Sequence, residues 1–442
     1  MQLASHAGRE GLSPPAVADA AGGDGGEAAL YPPRAKSGLD PRRREEFIER
    51  VAAMRRAYLA QPAATAMSSL QILDIDQIRL RFGRRWPALR PKVLGIVETA
   101  LQRELGKDDL YVVVSETLVH VFRIGLKRRD AERRGRLLAA EVTERLCGTV
   151  PGGVAVRLKT AGFDFNHGLA GIASFEQLRN RVEAFGKALD DHELRLFLDN
   201  AGRLEPLFRP TIHFRKGLIS AYHLAPLLRE PGGGTAAVAS LCPTSFNGVF
   251  DAETDNWSIQ QAATALARYG EAGGGGRRRA PMIVPVHYET LAAMRLREPY
   301  LVLCRALPAF SSRHLVLEVL DMPPGLPQSR VRELMAYVKP FCLALVARLP
   351  HDAIVADHLQ STGIRGLSLD LGELDPDGPA TRDTLHMLVD AARAQRMRCL
   401  AVAATAVRCC HLAVKAGVDQ LNGDAFMPPT RQAGRVFRAG KG

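Results

Sequence analysis

The second half of the chain alternates strand-like and helix-like segments, and this alternation limits the folds that the sequence can adopt. It starts at residues 204–229, where two apolar, β-rich runs are separated by a short turn that contains Gly217. The first run predicts a strand over 206–214 and the second a strand over 218–224, joined as a hairpin. Because strands that alternate with helices build parallel sheets, we expect an α/β domain from this point onward.

Seven further apolar segments of strand length follow the hairpin, and helical periodicity fills most of the intervals between them. Two Gly-rich stretches, 231–234 and 273–279, interrupt the pattern and are predicted to be loops. The strand candidates are 282–286, 315–319, 342–345, 353–355, 366–369, 399–403 and 420–421, and the helix candidates are 254–269, 329–338, 382–396 and 407–416.

The rest of the chain divides into parts that differ in composition and periodicity. Residues 1–38 are rich in Ala, Gly and Pro and predict a disordered tail, and 39–66 predict an amphipathic helix. An α/β rhythm marks 67–165 as a small domain, and 166–200 is predicted to be a linking helix. The larger domain then covers 201–442.

The composition excludes several classes of protein. With 46% hydrophobic and 24% charged residues the chain can bury large cores. It has neither an apolar run of about 18 residues nor a charged and then apolar leader, so we expect a soluble, cytoplasmic protein without membrane insertion. The net charge of +12 comes from dispersed arginines, and only 6% of residues are aromatic, so nucleic acid is not an expected partner.

Cysteine and acidic clusters give no sign of a metal centre or a disulfide framework. The seven cysteines include no C-x-x-C pair and lie mostly in apolar runs, so we expect reduced core residues. The run Asp190-Asp191-His192-Glu193 has an adjacent spacing that cannot converge on one ion, and a solvated helix face is predicted there.

The hairpin and the strands after it carry motifs that resemble the EAL domain, the bacterial cyclic-di-GMP phosphodiesterase barrel. Arg209-Pro210-Thr211 stands where that family has Q-P-I, and His223-Leu224-Ala225 stands at E-A-L. Anchoring Leu227-Leu228-Arg229 on the family's L-L-R places Ala225 at the Glu instead. The resemblance covers 204–442 and implies a TIM-like (β/α) barrel whose site lies at the C-terminal ends of the strands.

An EAL phosphodiesterase holds two divalent metals with carboxylates and an Asn, so that a shared hydroxide attacks the phosphodiester. Of these ligands the chain retains Glu318 and Asp370, and His223 could add an imidazole. The resemblance therefore implies no catalytic residue and no cofactor, with Mg²⁺ or Mn²⁺ expected only if these remnants rearrange into a working site. At the other positions the family's residues are replaced. Pro285 stands in place of the Asn, Ser368 in place of the catalytic Lys, and Val402 and Thr405 in place of two acids. The segment 343–349, which corresponds to D-D-F-G, contains no acid.

The resemblance also implies contacts to the dinucleotide that do not depend on a metal. Arg229 is the most informative of them, because a guanidinium pairs with a phosphate in a bidentate manner without a metal. The implied ligand-binding residues are Pro210, Leu224, Arg229, Asp370, Asn422 and Pro429.

The small domain at 67–165 resembles the GGDEF domain, the diguanylate cyclase fold, through the letters LDIDQIRLRFG at the end of its first strand. Counting without a gap from Asp74 places the family's G-G-D-E-F on Ser115-Glu116-Thr117-Leu118-Val119. A cyclase needs two glycines for close approach to the triphosphate and acids for two magnesium ions. Only Asp74 is retained, so no cyclase activity is expected.

Together the two resemblances imply a degenerate tandem GGDEF–EAL protein of the cyclic-di-GMP signalling family. The leading hypothesis is a pseudoenzyme that acts by binding a protein partner or cyclic-di-GMP. The alternative is an active phosphodiesterase with a rearranged metal site, which needs at least three convergent acids at strand ends. A third hypothesis, a nucleic-acid-binding protein, requires a continuous basic face.

Overall fold

The computed structural model describes residues 41–59, 67–106, 108–125, 128–147, 156–164, 168–243, 245–271, 279–323, 326–351 and 354–438. The predicted tail at 1–38 and nearly all of the predicted loop at 273–279 lie outside these residues. None of the helices in the described ranges combines the length and the apolarity that crossing a bilayer requires.

The first domain is built on a four-stranded antiparallel sheet in the order β2-β3-β1-β4. The strands have four to eight residues, and helices cover both faces of the sheet. Its elements are α1 (Pro41–Leu59), β1 (Met67–Asp74), α2 (Asp76–Phe82), α3 (Trp86–Glu104), β2 (Leu110–Val113), β3 (Leu118–Arg123), α4 (Arg128–Cys147) and β4 (Arg157–Asp164).

Alternation along the strands sends side chains of this sheet into two separate cores. On one face Leu73 and Val119 pack with α3 and α4. On the other face Leu70 and Phe122 pack with α1 and with Leu178 and Val182, which lie on the helix that follows β4. Burial on both faces explains why β2 and β3 are mainly apolar in the sequence.

The second domain is a closed barrel of eight strands with helices outside it, which confirms the predicted TIM-like fold. Its elements are α5 (Phe175–Ala201), β5 (Leu204–His213), β6 (Leu218–Arg229), β7 (Thr235–Ala237), α6 (Val249–Glu271), β8 (Met282–His287), α7 (Tyr288–Ala292), α8 (Met294–Arg305), β9 (Leu315–Leu320), α9 (Gln328–Val338), β10 (Ala344–Arg348), β11 (Ile364–Asp370), α10 (Pro379–Ala394), β12 (Arg398–Val402), α11 (Val407–Ala416), β13 (Gln420–Leu421) and β14 (Phe437–Arg438).

Around the barrel the strand order is β6-β5-β13-β12-β11-β10-β9-β8, and a parallel pairing of β6 with β8 closes the ring. β5 runs antiparallel to both of its neighbours, whereas the other pairs in the ring are parallel. The hairpin predicted at the start of the domain therefore supplies the one reversed strand. The C-terminal ends of the seven other strands meet at one end of the barrel, which we call the mouth; the opposite end is the base.

Side chains from strands that are not neighbours meet inside the barrel. Ala221 on β6, Ile283 on β8, and Leu400 and Val402 on β12 form one small apolar cluster. Because β6 and β12 are separated by two strands, this contact is made across the barrel interior. Residues of the same parity on each strand therefore point inward, and the intervening residues, such as Leu224, join the larger core under the helices.

Two strand predictions are changed by the structure. Residues 354–355 of the strand predicted at 353–355 are irregular, because this run of apolar residues is too short to pair and only packs Ile354 on the barrel core. The strand predicted at 342–345 lies at Ala344–Arg348. The second change places Arg348 at the end of β10, where the mouth is formed.

The acidic run on α5 is a solvated face at Asp191 and His192, as predicted, but not at Glu193. Glu193 is buried and accepts hydrogen bonds from Ser245 Oγ (2.5 Å) and from the backbone N–H groups of Phe246 (2.5 Å) and Phe250 (3.2 Å). Its carboxylate thus satisfies donors at the start of α6, which the helix itself cannot pair. α6 begins at Val249, five residues before the helix predicted at 254–269.

Candidate functional site

Polar side chains converge inside the barrel just below its mouth. They come from four strands: His223 on β6, Glu318 on β9, Arg348 on β10, and Ser368 and Asp370 on β11. The register places Val346 beside Glu318 and Arg348 beside Ser368. Parallel strands in register bring residues of the same parity to one level, so these groups lie on the inner wall together.

Glu318 is the centre of this cluster, and its side chain has 0% exposure. Its Oε2 atom lies 2.8 Å from His223 Nε2 and accepts a 2.8 Å hydrogen bond from Arg348 Nη2. Its Oε1 atom accepts bonds of 2.5 Å from Ser368 Oγ and 3.3 Å from Arg348 Nε. Each carboxylate oxygen is therefore hydrogen-bonded to two side-chain groups, and these groups come from three different strands.

Arg348 joins the two carboxylates that the sequence identified as metal remnants. Its Nε and Nη2 atoms form a bidentate pair with Glu318, and Nη1 donates a 3.2 Å bond to Asp370 Oδ2. The other oxygen of Asp370 accepts the backbone N–H of Gly372 at 2.9 Å. A guanidinium thus lies between the acids, in the region where the resemblance implies metal ions.

The charges of this cluster support one another. Burial on its own raises the pKa of Glu318, but the charges of Arg348 and His223 and the hydrogen bonds from His223 and Ser368 outweigh it and hold that pKa well below its usual range. Burial likewise lowers the pKa of Arg348, and the charges of Glu318 and Asp370 outweigh that effect and raise it. Glu318 and Arg348 are therefore both ionised at neutral pH.

The residues at the mouth do not fit a pair of divalent metals. Pro285 and Val402 offer no donor atom at the ends of β8 and β12, and Glu318 has no oxygen left for an ion. A cation would also face the positive charge of Arg348 at short range. Within the described ranges, no group of three or more His, Cys, Asp or Glu side chains is placed to hold a metal.

Sequence reasoning missed Arg348. The strand was predicted at 342–345, and the D-D-F-G segment was read only for the acids that it lacks. A signal was present, because Ala344, Val346 and Arg348 alternate and so share one face of the strand. An inward arginine at the end of a strand that neighbours the strand of an inward glutamate indicates an ion pair.

Leu224 and Pro210, both implied as ligand contacts, are buried. Leu224 has 0% exposure and belongs to the core that the strands share with the outer helices, so it offers no surface to a ligand at the mouth. The parity of β6 explains this, since His223 points inward and its neighbour must point outward.

Asn422, a third implied contact, is also fully buried. Its Nδ2 donates to Thr211 Oγ1 at 3.2 Å and its Oδ1 accepts the N–H of Ala403 at 3.1 Å, so the amide ties β13 to its neighbours. The next residue, Gly423, has φ 148°, and a Cβ there would lie 2.2 Å from the Ala404 nitrogen. Only glycine fits that position, which explains its retention beside the replaced Gln.

Arg229 lies at the end of β6, and its side chain is 61% exposed. Its Nε donates a 2.8 Å bond to Glu205 Oε1, so its charge is already paired. If His223 stands at the E-A-L Glu, the Arg of E-A-L-L-R corresponds to Leu227, and if Leu227-Leu228-Arg229 is the anchor, it corresponds to Arg229 itself. Arg229 is two residues, or roughly 7 Å, beyond Leu227 along the strand, and no hydrogen bond in the described part of the chain joins it to Glu318 or Asp370.

The two remaining positions near the mouth lie on the last segment of the chain and on β5. Pro429 is half-buried beside Thr430, whose backbone pairs with Phe208. Arg209, which stands at the Gln of Q-P-I, donates a 3.0 Å bond from Nε to Asp424 Oδ1. The structure therefore brings His223, Glu318 and Asp370 together, and it does not bring Arg229, Leu224 or Asn422 into that cluster.

The cyclase-like position of the first domain is a short turn between β2 and β3. Asp74, at the end of β1, accepts the backbone N–H of Asp76 at 2.8 Å. Glu116 in the turn accepts a 3.3 Å bond from Trp86 Nε1 and pairs with Arg90. Both carboxylates stabilise local structure, and the turn carries Ser115 and Thr117 where a cyclase has glycine and an acid.

Comparison with known proteins bears on the fold of this arrangement. No protein-family model and no curated protein matches the sequence. Among solved structures, the S helix–GGDEF–EAL part of Vibrio cholerae LapD, bound to cyclic-di-GMP, is similar over 86% of this chain and 93% of its own, with 9% identity and a TM-score of 0.53. The EAL domain of FimX from Pseudomonas aeruginosa, bound to cyclic-di-GMP, is similar over 55% of this chain and 97% of its own, with 15% identity and a TM-score of 0.42.

The similarity to LapD spans both domains. It confirms the tandem GGDEF–EAL fold that the sequence motifs predicted, in spite of the low identity. The chain therefore has the architecture of GGDEF–EAL tandem proteins, with a GGDEF-like domain before an EAL-like barrel. What its site does must be argued from its own residues.

Proposed function

We propose that this chain is a non-catalytic EAL-like signalling protein that acts by binding cyclic-di-GMP at the barrel mouth or by binding a protein partner. The observation that carries the proposal is the Arg348 guanidinium between Glu318 and Asp370. It supplies the positive charge that metals supply in a phosphodiesterase of this fold, but it supplies nothing else that those metals do.

The missing chemistry is activation of water. A divalent metal lowers the pKa of bound water enough to present hydroxide at neutral pH. A guanidinium has no coordination site for water, and its own proton is not released near neutral pH. Ser368, where the family has its catalytic Lys, donates to Glu318 and is fully buried, so it is not available as a substitute.

Phosphate binding, in contrast, is compatible with the arrangement. The three bonds that Arg348 makes to carboxylates use three of its five N–H donors, and its side chain is 20% exposed toward the mouth. Arginine binds phosphate oxygens through such donors without a metal. Cyclic-di-GMP is the ligand to test first, because the LapD fragment with this architecture was solved bound to it.

The decisive experiment combines an activity assay with a titration. We expect no hydrolysis of cyclic-di-GMP above a protein-free blank in Mg²⁺ or Mn²⁺, and a calorimetric affinity that is unchanged by EDTA. Arg348→Lys keeps the positive charge but loses the planar guanidinium that can donate two parallel hydrogen bonds to a phosphate. We therefore expect this variant to bind cyclic-di-GMP at least tenfold more weakly. Arg365→Ala, on β11 and exposed at the base, is the matched control and should bind as the native chain does.

Two outcomes would count against parts of the proposal. Metal-dependent turnover that Glu318→Ala abolishes would establish the alternative, an active phosphodiesterase with a rearranged metal site. No heat and no thermal shift up to millimolar ligand would remove cyclic-di-GMP as the ligand. A protein partner would then be the remaining route of action.

A further inference from the structure

A second charged cavity lies at the base of the barrel, at the opposite end from the mouth. Its volume is about 360 Å³, within the range of small-molecule sites. It is enclosed by the C-terminal end of α10, the start of β12 and the turn between β5 and β6. Four arginines line it, together with a single acid: Arg215, Arg393, Arg396, Arg398 and Asp419.

The acid does not neutralise these arginines. One Asp419 oxygen accepts the backbone N–H of Cys399 at 3.0 Å, and the other lies 4.0 Å from Arg398 Nη1. Among the described residues, the ion-pair partner of Arg393 is Asp390, at 4.0 Å and with a carboxylate that is 75% exposed. Arg215 and Arg396 take part in no ion pair within the part of the chain that the structure describes. The cavity therefore holds an excess of positive charge.

A neighbouring histidine responds to this charge. His213, at the end of β5, is buried, and its Nδ1 has no hydrogen-bond partner among the described residues. Burial lowers its pKa, and the charges of Lys216, Arg398 and Arg215 lower it further. The four arginines line one cavity, and their side chains are exposed to solvent at its wall.

The backbone of Arg396 is the most specific observation. Its φ is 54°, in the left-handed region, at the end of α10 where glycine or asparagine is usual. The conformation costs an arginine about 1 kcal/mol. A cation near a helix C-terminus is favourable, but Arg393 in the last turn already supplies one. The unfavourable backbone is explained if the Arg396 side chain is needed in the cavity.

We propose that this basal cavity binds a small phosphate-bearing ligand, at a site separate from the mouth. Several guanidinium groups around one space can hold phosphate oxygens through paired N–H donors, and no metal is required. Asp419 accepts the backbone N–H of Cys399 and so fixes the start of β12, which carries Arg398, at the edge of the cavity. The inference does not depend on what the mouth binds.

Inorganic pyrophosphate is the probe, titrated calorimetrically against orthophosphate and sulfate at matched ionic strength. Arg396→Gly removes one guanidinium and relieves the left-handed backbone, so the variant should melt no lower than the native chain. We expect it to bind pyrophosphate at least tenfold more weakly. Arg382→Ala, an exposed arginine at the other end of α10, is the matched control and should bind normally.

Several results would overturn the proposal. These are an absence of heat with pyrophosphate, equal binding of sulfate, or undiminished binding by Arg396→Gly. A cyclic-di-GMP titration on the same variants separates this site from the mouth. Its affinity should not change in Arg396→Gly, and a parallel loss of both ligands would mean that there is one site and not two.

Discussion

Acidic residues survive at both degenerate sites, and the groups that bind them differ between the two domains. In the GGDEF-like domain Asp74 is held by an amide two residues away, and the half-exposed Glu116 by Trp86 and Arg90 at the start of α3. In the barrel Glu318 is held by side chains of three other strands and has no contact with water.

This difference separates two environments for a carboxylate. At the turn between β2 and β3 solvent and local donors satisfy Asp74 and Glu116. At the barrel mouth Glu318 is inside a closed ring of strands, where an unpaired charge is costly. Arg348 compensates that charge with a bidentate ion pair.

The largest expected effect is that of removing the central carboxylate. Glu318→Ala leaves the Arg348 guanidinium largely buried with only Asp370 as partner, and losing one member of a buried ion pair costs about 3–5 kcal/mol. Urea unfolding followed by circular dichroism should show this loss in the free energy of unfolding. Glu116→Ala in the exposed turn is the contrasting variant and should change it far less.

If the two variants lost comparable stability, the proposed contrast between the sites would be wrong. Glu318→Gln adds a graded test. The glutamine side chain retains the shape of Glu318 and one acceptor oxygen. The free energy of unfolding of this variant should therefore lie between those of the native chain and Glu318→Ala.

The second largest effect that we expect is a dependence of stability on pH that comes from Glu318. The folded pKa of Glu318 lies below its unfolded value of about 4.3, so its contribution to stability is complete above that pH and is lost as the pH falls through the folded pKa. Urea midpoints between pH 7 and pH 2.5 should therefore decline more steeply for the native chain than for Glu318→Gln. A constant gap between the two proteins at all pH values would contradict the assignment.

A gain of metal binding is the third expectation. Arg348→Ala removes the built-in cation and frees Glu318, Asp370 and His223 to face one space. We expect Mn²⁺ to raise the melting temperature of this variant and not that of the native chain. At about 100 times the dissociation constant the stabilisation is about 2.7 kcal/mol. Mn²⁺ stabilisation of the native chain would show that Arg348 does not exclude the ion.

The smallest effect concerns the ion pair of Arg209 with Asp424 at the mouth, which joins β5 to the loop after β13. Asp424 is 50% exposed, and pairs of this kind contribute about 1 kcal/mol or less. Asp424→Ala should therefore shift the urea midpoint only slightly. If Asp424→Ala lost as much stability as Glu318→Ala, the ion pair at the mouth would be as important for folding as the one inside the barrel.

Much of the fold could be predicted because it rests on local patterns. Alternating apolar segments predicted a parallel α/β domain, the EAL resemblance implied that it closes into a barrel, and the Gly217 turn predicted the hairpin that contains β5. The Arg348 contacts were not predictable in the same way, since they join positions 22 and 30 residues apart across three strands. Comparing motif positions one at a time shows which ligands are lost but not which new group has taken their place.

Strand parity limited the prediction of the ligand-binding residues. A motif of consecutive letters, such as His223-Leu224-Ala225, contains residues for both faces of a strand. The contact between His223 and Glu318 fixes which face is inside and so assigns Leu224 to the outer core. That contact joins residues 95 positions apart, and the sequence alone does not reveal it.

The helix α5 has a mechanical consequence. Its first turns, with Leu178 and Val182, belong to the core of the GGDEF-like domain, whereas Phe197 packs on Phe250 of the barrel and Glu193 caps α6. The helix runs without interruption for 27 residues, about 40 Å. Its two ends are thus anchored in different cores. A reorientation of one domain relative to the other would have to bend this helix or break one of its two anchors.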